Sequence, residues 1–255
     1  MNVQIVIPAR MGASRLPGKP LRSINGKPVL QWCVEAAKAT GHPVLVTSPD
    51  EAIAQECRRI GVKHVMTRGV VKNGTERVCR ALRQVVKYED ALLADSTLIV
   101  NIQGDMVRFD PGLVDRMVKV AVEESNKVAG AGIFSLYSLC EDPKTIHDRN
   151  NPKVVTDYYD MALLFTRSLI PVWPRGITAE AIRYKMHIGI YGYFWPVLRG
   201  LASLPQCKLE IIESLEQLRW LHYRKKIRML HEPHSTMSIN DEVDLVLAEK
   251  HLGGK

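Results

Sequence analysis

Apolar and polar positions follow two different rhythms along the first half of the chain. Short β-branched runs, Val3 to Ile7, Val44 to Thr47, His64 to Met66 and Thr97 to Ile102, read as strands of a buried sheet. Between them, Val29 to Ala39, Glu51 to Ile60, Thr75 to Val86 and Pro111 to Glu124 carry apolar residues three or four apart, the spacing of a helix with one face in a core. Alternation of this kind predicts a doubly wound, mainly parallel α/β sheet. Pro49-Asp50, just after Ser48, marks Asp50 as the N-cap of the second helix.

Past residue 128 the rhythm changes. Val128 to Tyr137 and Met186 to Phe194 are strand-like, while Asp142 to Pro152 and Trp173 to Thr178 are rich in turn residues and read as connections. A smaller β-containing lobe or dimerisation insert at about 128–194 is therefore expected within a single domain spanning 1–255. Helical periodicity returns over Lys208 to His222 and Asp241 to His251, on either side of a strand-like Lys226 to Leu230.

Composition narrows the class. With 46% hydrophobic and 24% charged residues the chain has the make-up of an ordinary globular protein, not a disordered or fibrous one. No apolar run approaches the roughly 18 to 20 residues that span a bilayer, so no membrane insertion is expected. Arg10 interrupts the first apolar stretch before a signal-peptide core forms, which predicts a cytoplasmic protein. Five cysteines, none in a C-x-x-C pair, read as reduced thiols and not as a zinc or redox motif. A net charge of +8 points to an anionic partner, with nucleic acid, a membrane surface and a phosphorylated substrate all open at this stage. Nucleic acid lacks support beyond the charge, because no basic cluster is interleaved with aromatics.

The chemistry concentrates in the stretch from Ile7 to Leu21, directly after the first strand, where ligands of doubly wound sheets bind. Gly12, Gly18, small Ala13 and Ser14, and the cations Arg10, Arg15 and Lys19 suit a loop that wraps a polyphosphate with backbone N–H groups and fixed charge. It is not a P-loop: five residues separate the two glycines, and Pro20 follows the lysine where Ser or Thr belongs. Gly130-Ala131-Gly132 lacks the third glycine of a dinucleotide fingerprint, since Ser135 stands there.

The block Pro8-Ala9-Arg10, Ser14-Arg15-Leu16-Pro17-Gly18-Lys19-Pro20-Leu21 resembles the signature of sugar nucleotidyltransferases, most closely the CMP-Kdo synthetases (3-deoxy-manno-octulosonate cytidylyltransferases). The resemblance continues in order through Asn25-Gly26-Lys27-Pro28, Gly74-Thr75-Glu76-Arg77, Val100 to Asp105, Lys153-Val154-Val155, Phe165-Thr166-Arg167, His187 to Tyr193 and Leu209 to Arg219. It implies a magnesium-dependent enzyme that activates a 3-deoxy-2-keto sugar acid with CTP for cell-surface sugar synthesis, working as a homodimer. By that resemblance Arg10, Lys19 and Asp105 are catalytic, and Pro8, Ala9, Ser14, Arg15, Thr75 and Gln103 join Arg10 and Lys19 in holding the nucleotide. Arg77, Gln103, His187, Tyr191, Glu210 and Glu213 are then expected around the sugar, with Arg77 offering its planar fork to the sugar carboxylate. His187 is not expected to act as a general base.

Asp105, closing an apolar strand, is the best-placed magnesium ligand. Two departures from the family pattern concern that metal. Met106-Val107 stands where a Glu-Pro pair usually follows the Asp, and Asn240 stands where the family carries a second metal-binding Asp. Asn240 offers an amide oxygen without charge; Asp241 could replace it by a one-residue shift, although it also suits the N-cap of the last helix. The departures leave three readings: a cytidylyltransferase for Kdo, one for an 8-amino analogue, or a weakened homologue that binds without efficient turnover.

Overall fold

The computed structural model describes residues 1–12, 15–88, 93–128, 130–172 and 183–252. Strands β1 (Val3–Pro8), β2 (Ser23–Ile24) and β3 (Lys27–Pro28) lead into helix α1 (Val29–Lys38), followed by β4 (Val44–Ser48), α2 (Glu51–Arg59), β5 (Lys63–Met66), α3 (Gly74–Tyr88) and β6 (Leu98–Ile102). The second half runs through β7 (Met106–Arg108), α4 (Leu113–Ser125), β8 (Ile133–Cys140), α5 (Pro143–His147), β9 (Lys153–Thr156), β10 (Ala162–Thr166) and β11 (Tyr184–Phe194). It closes with α6 (Trp195–Leu201), α7 (Lys208–Glu213), α8 (Gln217–His222), β12 (Ile227–His231), β13 (Met237–Ser238) and α9 (Glu242–Leu252).

The four strands expected in the first half form, and they pair in parallel in the order β6-β1-β4-β5. Both faces of this sheet are buried. Val3, Ile5 and Ile7 of β1 pack with α1, α2 and α4, while Val6 and Ile99 pack on the opposite side with α3, α6 and Trp220. From β1 the chain winds outward through β4 and β5 and then returns to the far side with β6. The carboxyl ends of β1 and β6 therefore diverge around a crevice, the position where this architecture binds ligands.

Beyond β6 the sheet turns antiparallel: β11 runs against β6, β8 and β9, β10 pairs only with β9 along the sheet order, and β12 lies parallel to β8. The parallel half thus builds the crevice, and the strands between 133 and 194 extend the same sheet away from it.

Three local expectations change. The expected connection over Asp142 to Pro152 contains α5, whose N-terminus Asp142 caps by accepting from Lys144 N at 3.3 Å and Thr145 N at 3.0 Å. The single helix expected over Lys208 to His222 breaks into α7 and α8 at Ser214, which adopts φ 52°. Arg167 accounts for the break: its guanidinium donates to the carbonyls of Glu213 and Ser214, so these oxygens are bound across the fold. Asp50 precedes α2 as expected but does not cap it. Its carboxylate accepts instead from Met11 N at 2.9 Å and Ser48 Oγ at 3.3 Å, which ties the loop after β1 to the end of β4. The second expected connection, Trp173 to Thr178, lies outside the described residues. All five cysteines are free thiols, and among the described residues no helix is long and apolar enough to cross a membrane.

Candidate active site

A cavity of about 300 Å³ occupies the crevice between β1 and β6. Pro8, Ala9 and Arg10 come from the end of β1, Arg15, Lys19 and Pro20 from the loop after it, and Gln103, Gly104 and Asp105 from the end of β6. Lys72, Asn73, Gly74 and Arg77 enter from the start of α3, and Asn240 from the segment before α9. Five cations thus face one carboxylate, so the wall is built for an anion.

The backbone fixes these groups closely. Gly18 takes φ 69°, a conformation that a side chain would strain, and turns the loop so that Lys19 points back into the crevice. Lys19 Nζ donates to Asp105 Oδ2 at 2.5 Å and to the Ile239 carbonyl at 2.9 Å, joining three segments that are distant in sequence. Gly104 permits the ends of β1 and β6 to meet, since a Cβ there would lie 3.0 Å from the Pro8 carbonyl oxygen. Arg77 is almost buried and anchors one arm of its fork on Thr67, 2.9 Å from Oγ1; burial and the nearby Arg10 lower its pKa.

Beside Gln103 the cavity gives way to aromatic wall. A methyl group on Gly189 of β11 would lie 3.7 Å from Gln103 Cγ, so the glutamine packs directly on that strand. Along the same face run His187, Tyr191 and Tyr193, as the two-residue period requires: His187 meets Tyr191 with centroids 5.4 Å apart, and Tyr191 stacks on Tyr193 at 6.0 Å. Trp220 of α8 abuts both tyrosines edge-on. His187 Nε2 lies 3.0 Å from Ser135 Oγ, and desolvation pushes its pKa down to about 3, which leaves a neutral ring at pH 7. Beneath this wall Glu216 accepts from the Thr75 N–H and hydroxyl, and the Thr75 hydroxyl is 3.3 Å from Tyr193 Oη. Desolvation pushes the Glu216 carboxyl up to about 7.

Of the residues expected at the site, Pro8, Ala9, Arg10, Arg15, Lys19, Arg77, Gln103, Asp105 and Asn240 come together in the cavity wall. His187 and Tyr191 lie on the adjoining aromatic face, and Ser14 lies outside the described residues. The others turn away. Thr75 is buried under the wall, because the first turn of α3 directs Gly74 outward and the threonine inward to Glu216. Glu210 is taken by Arg219 in a buried two-point ion pair, with Nε at 2.7 Å. Glu213 accepts from Thr166 Oγ1 and Arg167 N, both at 2.9 Å, and so braces β10 without facing the cavity. Asp241 Oδ1 accepts from Asp244 N at 3.1 Å and caps α9, leaving Asn240 alone in the wall. Met106 and Val107 are buried apolar residues that pack beneath the site. Sequence reasoning missed Lys72 and Asn73, which stand just before the Gly74-Thr75-Glu76-Arg77 block and needed only its extension by two residues. It also missed Glu216, which accepts from Thr75 while Glu210 takes Arg219.

A family model described as Cytidylyltransferase matches residues 4–227. An 8-amino-3,8-dideoxy-manno-octulosonate cytidylyltransferase of Shewanella halifaxensis is 35% identical over 99% of both chains. A 3-deoxy-manno-octulosonate cytidylyltransferase of Pseudomonas fluorescens is 36% identical over 88% of this chain and 87% of its own. The solved structure of CMP:2-keto-3-deoxy-manno-octonic acid synthetase complexed with CTP superposes with a TM-score of 0.83 at 30% identity, covering 99% of each chain. Fold and cation-lined crevice together define an α/β nucleotidyltransferase. Within that class the chain belongs to the cytidylyltransferase family.

Proposed function

We propose that this enzyme transfers the cytidylyl group of CTP to a 3-deoxy-2-keto sugar acid, giving a CMP-sugar and pyrophosphate. One observation carries the reading: five cations converge on the crevice at the reversal of strand order, and a nucleoside triphosphate supplies the complementary charge. The anomeric hydroxyl of the sugar acid attacks the α-phosphorus and loses its proton to water, a new P–O bond forms, and the bond from the α-phosphorus to the bridging β-phosphate oxygen breaks, releasing pyrophosphate. Charge grows on the departing pyrophosphate, where Arg10, Arg15 and Lys19 act. Lys19 needs no rearrangement for this, because Asp105 and the Ile239 carbonyl already hold its ammonium in place. Arg77 stands between the cavity and β4–β5 with one arm anchored, suited to a planar carboxylate. The sugar would lie toward Gln103, His187 and Tyr191, where aromatic faces meet polar tips.

Asp105 and Asn240 present oxygen donors in one cavity wall, a donor set that suits magnesium. Held by these residues, the ion would add charge neutralisation at the phosphates. The enzyme would act in the cytoplasm as a homodimer, a reading favoured by the exposed Tyr158, Tyr159 and Leu163 around β10.

The test is incubation with CTP, magnesium and either Kdo or its 8-amino analogue, followed by detection of pyrophosphate. Turnover with either acid supports the reading, and no turnover with any nucleotide or sugar acid refutes it. The same pair of assays decides between the two substrates, which the names of relatives 35% and 36% identical carry. The uncharged Asn240 favours one further reading, a weakened homologue. A large gain in turnover for Asn240→Asp is the result expected from that alternative.

A further inference from the structure

We propose that Asn150 is a positioning residue for Arg15, and that the 148–151 turn forms an outer wall for the triphosphate end of the site. This rests on the reading of Arg15 as a triphosphate ligand. Arg15 Nη1 donates to Asn150 Oδ1 at 2.7 Å across 135 positions of sequence, joining the loop after β1 to the connection between α5 and β9. Both side chains are exposed, and such a contact alone would order little.

The turn that carries Asn150 is what gives it weight. Asp148 Oδ1 accepts from Asn150 N at 2.8 Å, and Asp148 Oδ2 from Asn151 Nδ2 at 3.2 Å, so the aspartate folds the turn around itself. Lys153, at 1% exposure, directs its ammonium to the Asp148 carbonyl at 2.9 Å. Burying a lysine against a carbonyl is costly, and its position lets it brace this turn from below. Arg167 adds bonds from Nη1 to the carbonyls of Arg149 at 2.8 Å and Asn150 at 3.3 Å, while its Nε holds Glu213 O at 2.7 Å. Glu213 in turn accepts from Arg167 N at 2.9 Å. A continuous set of bonds therefore runs from the α7–α8 break, through Arg167 and the turn, to the guanidinium of Arg15. Asn150 occupies one donor of that fork and leaves the remaining N–H groups for phosphate oxygens. The loop carrying Arg15 thereby gains a fixed point on the braced 148–151 turn.

Calorimetric titration of CTP into the magnesium-loaded enzyme, with steady-state kinetics alongside, tests the proposal. Asn150→Ala is expected to weaken CTP binding by about three- to tenfold, the scale of one hydrogen bond. KM for CTP should rise in step and kcat should fall by a similar or smaller factor, with KM for the sugar acid unchanged within about twofold. In an Arg15→Ala background, Asn150→Ala is expected to have no further effect, because the group it positions is gone. An Asn150→Ala enzyme with wild-type CTP affinity, or an equal loss in both backgrounds, overturns the proposal. If Arg15→Ala itself leaves CTP affinity unchanged, the underlying reading of Arg15 fails and the proposal falls with it. Arg15→Ala weakening CTP while Asn150→Ala does not refutes the positioning role alone.

Discussion

Lys19 and Glu216 show how far single residues can be read. Lys19 bonds Asp105 and the Ile239 carbonyl from a loop whose glycines, small residues and cations, placed directly after the first strand, read in the sequence as a polyphosphate loop. Lys19→Ala should lower kcat/KM by about 10²- to 10³-fold, the range for losing one fixed donor to a transition-state charge. Steady-state pyrophosphate release measures it, and a loss under about threefold would remove Lys19 from the chemistry. Glu216 was illegible for a physical reason: local helix spacing offers Arg219 three residues on, but a guanidinium can be claimed from another helix, and Glu210 claims it. The consequence is a pH dependence. The native Glu216 carboxyl, at about 7, lies above its ordinary value of 4.5, so the folded state holds the proton more firmly than the unfolded state. This linkage stabilises fully below about pH 4.5 and is lost as pH rises through 7. Glu216→Gln, which cannot ionise, should show a flatter fall in melting temperature between pH 5 and 8 than wild type. Identical slopes would assign the dependence to another group.

At the scale of elements, the four parallel strands and the amphipathic helices of the first half were legible because β-branched runs alternate with apolar residues three or four apart. This holds even for the four-residue β5, in which no residue is fully buried. The α7–α8 break was not, because Arg167 causes it from forty-odd positions away and no local pattern encodes that. The segment leading into α9 lay between these cases. Asp241 satisfied two sequence readings at once, metal ligand and helix cap, and the fold gives its Oδ1 to Asp244 N while Asn240 faces the cavity. Asp241→Ala should accordingly cost about 1 kcal/mol of stability, as loss of an N-cap does. In a chain of this length that lowers the melting temperature by about 2–4 °C. CTP affinity in magnesium should stay unchanged, because the lost carboxylate is outside the wall. A large loss of metal-dependent CTP binding would restore Asp241 as a ligand.

Across the whole molecule the +8 charge resolves into a local and a distributed part: the excess of cations in the cavity wall equals half of the chain's net charge. The apolar surface is likewise uneven. β10 ends the hydrogen-bonded order of the sheet, and around it Tyr158 is 93% exposed, Tyr159 69% and Leu163 60%. Ile211 and Ile212 of α7 are exposed as well. Large apolar side chains beside a sheet edge invite association, and a second copy of the chain is the partner always present. The candidate cavity, by contrast, is lined by described residues from the end of β1 and the loop after it, the end of β6, the start of α3 and the segment before α9, none of them in or beside β10. Assembly and nucleotide binding should therefore separate. Light scattering on the wild type should give the mass of a dimer, and Leu163→Arg, placing a charge on the proposed interface, should give a monomer. The monomer is expected to keep CTP affinity within about twofold, since no wall residue has changed. A Leu163→Arg protein that stays dimeric would place the interface elsewhere, and a monomer that loses CTP would show that the partner chain supports the site.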